Sequence, residues 1–118
     1  MSTLSLTWVK SQADTWLEFE TFNLDSVKSK GVYMIWHGGN PGKVVYVGQG
    51  DVRSRLATHR ADVEICGCRR FGTLYVTWAE VPAAQRDGVE RYLADQWNPL
   101  VGDVYPDAAP IAVNSPWR

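Results

Sequence analysis

Residues 31–51 read GVYMIWHGGNPGKVVYVGQGD, and this stretch predicts a β-hairpin. Residues 31–38 and 43–49 are rich in β-branched and aromatic side chains, which is typical of strands. Residues 39–43 concentrate glycine, asparagine and proline, which form turns. So short a connection joins antiparallel strands. We therefore expect Tyr33 and Tyr46 on two neighbouring strands.

The rest of the central sequence predicts two helices and a third strand. Asp51 is a good N-cap for a first helix with a buried stripe of Val52, Leu56 and Val63 and with Arg55 and His59 along its edge. GTLYVTWAEV at residues 72–81 predicts the third strand. Residues 83–97 predict a second helix that ends before Pro99 and carries Glu90 beside its apolar stripe.

These elements predict an α/β (α+β) sandwich. We expect a central three-stranded, mainly antiparallel sheet flanked by helices that begin at Asp51 and Ala83. A chain of 118 residues has room for one domain. Within it, we expect residues 31–102 to form the core. Residues 1–30 form an N-terminal extension, for which the sequence does not distinguish a helix from a strand. Residues 103–118 form a tail that lies over the domain.

Composition narrows the class of protein. A formal net charge of −1 argues against a protein that coats nucleic acid by bulk electrostatics. A local cluster of cationic side chains is the alternative way to bind nucleic acid. The other interpretation is that its members are ordinary solvated surface charges. Its members are Arg53, Arg55, Arg60, Arg69 and Arg70. No run of about 20 apolar residues and no signal segment after Met1 is present, so we expect a cytoplasmic protein without a membrane partner.

Two short motifs and three later residues carry a family resemblance. Residues 31–33 read GVY and residues 46–48 read YVG, followed by Arg55, His59 and Glu90. In order and spacing this set resembles the GIY-YIG nuclease superfamily. The resemblance covers roughly residues 31–102 and includes the separation between Glu90 and Pro99.

The resemblance implies a metal-dependent endonuclease that hydrolyses DNA phosphodiester bonds. Tyr33 would be the general base, Tyr46, Arg55 and His59 would position the water and the phosphate, and Glu90 would bind Mg²⁺ or Mn²⁺. We expect DNA to be contacted by further arginines of the cluster, namely Arg53, Arg60, Arg69 and Arg70. The oligomeric state stays open, and a homodimer is one arrangement that could cut both strands of a duplex.

The chemistry of a tyrosine base adds a condition. An unperturbed phenol has a pKa of about 10, so Tyr33 needs nearby cations that lower its pKa before it can deprotonate water near neutrality. Arg55, His59 and the metal ion are the cations that we expect to do this.

The sequence departs from the family pattern at Gly102, where many members have an asparagine three positions after the proline. This departure and the nearly neutral charge favour an alternative, a non-catalytic module that binds nucleic acid or a protein on the same fold. A purely structural interaction domain is a third hypothesis. The form of the DNA substrate and a role in repair, restriction or a mobile element stay open.

Overall fold

The predicted hairpin forms the middle and one edge of a β-sheet. The computed structural model describes residues 4–11, 13–102 and 105–117. Strand β2 (Lys30–His37) pairs antiparallel with β3 (Lys43–Asp51), and Tyr33 lies opposite Gly48. On its other side, β2 pairs antiparallel with β4 (Leu74–Glu80). The three predicted strands are therefore present.

The sheet has four strands, so the predicted count of three was wrong. Strand β1 (Leu17–Glu18) pairs antiparallel with β4 and gives the order β1-β4-β2-β3. Beyond it, the Phe19 amide donates to the Leu74 carbonyl at 2.8 Å, and the Phe19 side chain is completely buried. A strand of two residues is too short to show alternation, so the sequence of residues 17–18 does not predict it.

Apolar side chains cover both faces of the sheet, as the alternation along β2 and β4 predicts. One face buries Tyr33, Ile35 and Val76 under α1 (Val52–His59) and α2 (Val63–Gly67). The other face buries Val32 and Met34 under α3 (Ala83–Trp97). The fold is an α+β sandwich with helices on opposite faces of the sheet. In the described part of the chain, no helix is long and apolar enough to cross a membrane.

The first helical region differs from the prediction. Helix α1 ends at His59, and Val63 is 83% exposed instead of belonging to a buried stripe. The cause is Asp62, whose carboxylate accepts hydrogen bonds from the backbone amides of Glu64 and Ile65 and so starts the separate helix α2. In the redirected chain Ile65 takes the buried position.

The ends of the described chain pack together on the α3 side. The Asn114 side chain accepts from the Leu6 amide at 2.6 Å and donates to the Leu6 carbonyl at 2.9 Å. The Ile111 amide donates to the Gly88 carbonyl on α3, and Val113 is buried. Residues 111–114 thus pack against the rest of the domain on this side.

Gly31 allows β2 and β4 to approach closely, and this yields a test of the fold. A Cβ at Gly31 would lie 2.0 Å from the Ala79 carbonyl oxygen, which is backbone and has little room to move. We predict that Gly31→Ala lowers the free energy of unfolding by about 3 kcal/mol, measured by urea denaturation. Gly67→Ala is the control, because nothing lies within 4 Å of its added Cβ. Equal stabilities of the two variants would contradict the described strand packing.

Candidate active site

A buried hydrogen bond between Tyr33 and His59 forms the centre of the candidate site. Tyr33 is completely buried on β2, and His59 is 8% exposed at the end of α1. The Tyr33 Oη lies 2.6 Å from the His59 Nε2, and the two rings meet edge to face. This bond joins the sheet to α1 and provides a direct route for a proton between two side chains.

Gly48 makes room for the Tyr33 phenol. The two residues face each other across the β2–β3 register, and a Cβ at Gly48 would lie 2.2 Å from the Tyr33 Oη. The phenol therefore extends over the glycine toward β3, which is an edge strand. The last glycine of the YVG motif has a steric reason to lack a side chain.

Tyr46 and Arg55 surround this pair. The Tyr46 ring centroid lies 4.5 Å from that of His59 and 6.2 Å from that of Tyr33. Arg55 is exposed on α1, one helical turn before His59. Burial raises the pKa of both phenols, and the charge of the Arg55 guanidinium opposes this effect. Arg55 thus places a positive charge at the mouth of the site.

Glu90 on α3 places a carboxylate near Tyr33 and Tyr46. The side chain is 9% exposed, and its Oε1 accepts a hydrogen bond of 2.9 Å from the Gln49 Nε2. Burial raises the pKa of Glu90, and the Asp87 carboxylate raises it further. The negative charge of Glu90 in turn raises the pKa of both Tyr33 and Tyr46, so the carboxylate lies within electrostatic range of both phenols.

The five residues predicted from the sequence therefore converge. Tyr33 comes from the central strand, Tyr46 from the edge strand, Arg55 and His59 from one helix, and Glu90 from the helix on the opposite face of the sheet. The convergence occurs at the β3 edge, where side chains from the two faces can meet. In the described part of the chain, the backbone of residues 100–101 covers this edge at Val44 and Val45.

Arg55 and His59 do not lower the pKa of Tyr33 below its ordinary value, contrary to the expectation for these two residues. Burial raises the pKa of Tyr33 well above its ordinary value, the charge of Tyr46 raises it as well, and the opposing effect of Arg55 is smaller. His59 does not act as a cation, because burial and then Arg55 lower its pKa. At neutral pH the pair is a neutral phenol and a neutral imidazole.

The neutral state of His59 gives it a free lone pair. One imidazole nitrogen carries the proton and the other accepts. Among the described residues, the His59 Nδ1 is the buried side-chain nitrogen or oxygen atom without a hydrogen-bond partner. With the proton on Nδ1, the Nε2 accepts the hydrogen bond of the Tyr33 hydroxyl and is the atom able to take its proton.

The four other arginines predicted to contact DNA lie elsewhere. Arg53 pairs with Asp25 at 2.8 Å and Arg69 with Glu20 at 2.7 Å, both at exposed positions. The Arg60 guanidinium donates to the carbonyl oxygens of Phe19 and Phe22, which ties α1 to the N-terminal segment.

Arg70 stacks over Phe71, with its guanidinium carbon 4.7 Å from the ring centroid. It lines a surface cavity of about 620 Å³ together with His37 and Lys43. None of these four arginines belongs to the cluster around Tyr33.

Two polar residues of the site were missed in the sequence. Gln49 directly follows the YVG motif, and Asp87 lies three positions before Glu90 on α3, which puts both acids on one helix face. The spacing of Asp87 and Glu90 was the available signal for the acid. Nothing in the local sequence pairs either of them with Gln49, because that contact joins residues about 40 positions apart.

Burial of His59 predicts a pH dependence of stability. In the unfolded chain its pKa is about 6.5, and in the fold it is lower, so protonation favours the unfolded state. Its contribution is present above pH 6.5 and is lost as the pH falls through the lowered pKa, at up to about 1.4 kcal/mol per pH unit. We expect urea denaturation between pH 7.5 and 5 to show a shallower loss for His59→Gln. Parallel profiles would contradict a buried neutral His59.

Comparisons with known proteins add no family assignment. No protein-family model matches the chain, and neither a search of curated proteins nor a search of solved structures gives a match. Any functional inference therefore rests on the chemistry and geometry of the side chains described above.

Proposed function

We propose that this chain is a metal-dependent endonuclease of the GIY-YIG type that hydrolyses DNA phosphodiester bonds. The observation that carries the proposal is the 2.6 Å hydrogen bond between the Tyr33 Oη and the His59 Nε2, within electrostatic range of Arg55 and Glu90. A base, a phosphate-binding cation and a carboxylate suited to a metal ion are the groups that phosphodiester hydrolysis requires.

Water activation is the step in which the Tyr33–His59 pair would act. A free phenolate is unfavourable at Tyr33, because burial raises its pKa. We therefore propose that Tyr33 accepts a proton from water while its own proton passes to the His59 Nε2. The water oxygen then bonds to phosphorus, and the bond between phosphorus and the leaving oxygen breaks. The leaving oxygen takes up a proton from solvent, and the imidazolium returns its proton to Tyr33, which releases one to solvent when the product leaves.

Arg55 and Tyr46 would bind the phosphate. The planar guanidinium of Arg55 can donate two parallel hydrogen bonds to phosphoryl oxygens, and its exposed position gives DNA access to it. Tyr46 is partly exposed beside the Tyr33–His59 pair, so its hydroxyl can orient the water or the phosphate. Both groups stabilise charge that develops in the transition state.

The donor set around Glu90 fits Mg²⁺ or Mn²⁺. Within residues 4–11, 13–102 and 105–117, no group of three or more His, Cys, Asp or Glu side chains is arranged to hold a metal ion. Mg²⁺ does not require such a group, because it keeps several waters and takes one or two carboxylates. The buried Glu90 beside Asp87 makes a locally negative site of hard oxygen atoms. When bound, the ion would offset charge on the phosphoryl and leaving oxygens.

Replacing Glu90 tests both the enzyme and the role of the carboxylate. We predict that Glu90→Gln reduces Mg²⁺-stimulated nicking of a supercoiled plasmid by about 100-fold or more, because the carboxylate for the cation is lost. The same variant should unfold at a higher temperature than the parent in a chelator. The reason is that the raised pKa of Glu90 makes its charged form a cost to folding at neutral pH.

Glu64→Gln is the matched control, since Glu64 is an exposed glutamate at the start of α2. It should nick like the parent. Equal nicking by Glu90→Gln and the parent would point to a contaminating nuclease. DNA retention at low salt without any metal-stimulated nicking would favour the non-catalytic module instead.

A second substitution tests the proton route. Tyr33→Phe removes only the hydroxyl that bonds to His59, and we expect kcat for nicking to fall by about 100-fold or more. Tyr75→Phe is the control, because Tyr75 lies on the opposite face of the sheet against Trp36. If both phenylalanine variants kept parental kcat, Tyr33 would not be the base.

A further inference from the structure

The amide of Gln49 joins two carboxylates of α3. Its Nε2 lies 2.9 Å from the Glu90 Oε1 and 2.5 Å from the Asp87 Oδ1. An amide nitrogen has two hydrogens, so both are used and each carboxylate receives one. The contact spans two elements, because Gln49 lies near the end of β3 while both acids lie on α3.

Without such a bridge, the two acids would tend to separate. They are three residues apart on one helix face, where like charges repel. Glu90 is buried and has little freedom, whereas Asp87 is exposed and could turn to solvent. The hydrogen bonds from Gln49 hold the Asp87 carboxylate beside that of Glu90 instead. The chain therefore maintains a pair of carboxylates at the candidate site.

We propose that Gln49 positions the two carboxylates and can offer its amide oxygen to the cation, and that Asp87 is the second carboxylate of the site beside Glu90. This inference rests on the proposed function, in which Glu90 binds the divalent ion. It goes further by naming two residues that set the affinity for that ion. The partly exposed position of Gln49 and the exposed position of Asp87 leave the pair open to solvent.

The chemistry of an amide suits both states of the site. With its nitrogen toward the acids, Gln49 donates to both carboxylates and offsets their repulsion. Rotation of the amide by half a turn exchanges the nitrogen for the carbonyl oxygen, which is a hard ligand that Mg²⁺ and Mn²⁺ accept. The same residue can thus hold the two acids without the ion and face the ion together with them.

Binding of Mn²⁺ to the full chain without DNA tests the inference separately from cleavage. Electron paramagnetic resonance measures the free Mn²⁺ signal. We expect Gln49→Ala and Asp87→Asn each to raise the Kd for Mn²⁺ by about 10-fold or more, the size of effect known for residues that orient metal ligands. Gln96→Ala is the control, because Gln96 is an exposed glutamine of α3 whose hydrogen bond among the described residues goes to Tyr92 of the same helix.

Gln49→Glu separates a cation-positioning role from a structural one. A third carboxylate cannot bridge the two acids by hydrogen bonds, so a structural role predicts weaker Mn²⁺ binding. The proposal predicts binding at least about 3-fold tighter than in the parent, because one more anionic oxygen ligand faces the ion. It also predicts that the ion raises the Tm of this variant more than that of the parent.

The outcomes distinguish this inference from the proposed function. Parental Kd values in Gln49→Ala and Asp87→Asn, or weaker binding by Gln49→Glu, would overturn the inference even if plasmid nicking is metal-dependent. The expected Kd changes without any nicking would support the inference and refute the nuclease. Asp87 is exposed, so Asp87→Asn should fold normally and keeps the test decisive if Gln49→Ala does not fold.

Discussion

The hydrogen bond between Tyr33 and His59 places severe demands on the surrounding structure. A buried phenol hydroxyl requires a hydrogen-bond partner. Without one, the free energy lost by removing the hydroxyl from water exceeds what a typical intramolecular hydrogen bond contributes to stability. His59 provides that partner only because α1 begins directly after β3 and ends over Tyr33. Gly48 provides the space for the phenol. This one hydrogen bond thus depends on the β2–β3 hairpin, on helix α1 and on Gly48.

Burial of this contact also determines its chemistry. A dry environment disfavours charge on either partner, so it raises the pKa of Tyr33 and lowers that of His59. The two shifts keep the proton on the phenol oxygen, so both partners are neutral. Neither partner therefore carries a charge in the folded protein at neutral pH.

Much of the fold could be predicted from the sequence, because β2, β3, β4 and α3 are long enough to show their periodicity. The turn residues between β2 and β3 also determined the antiparallel pairing. Strand β1 has two residues and therefore no period. Helix α1 ends at His59 because Asp62 caps a new helix. The apolar spacing of Val52, Leu56 and Val63 predicts one continuous helix instead, and local sequence does not show which of the two prevails.

The candidate site was predictable to a different degree. The order of Tyr33, Tyr46, Arg55, His59 and Glu90 matched a pattern, and these residues do converge. Their protonation states could not be read from residue types, because desolvation depends on tertiary packing. The partners of Arg60 and Gln49 were likewise hidden, because both contacts join segments about 40 residues apart.

The pairing of Asn114 with Leu6 has a consequence for the connectivity of the chain. The two hydrogen bonds hold residues separated by 108 positions side by side. A short linker from Asn114 to Leu6 would bridge a small gap, so a circularly permuted form of residues 6–114 is geometrically accessible. New chain ends in the exposed turn before Lys43 would then cut the hairpin loop while leaving every strand of the sheet whole.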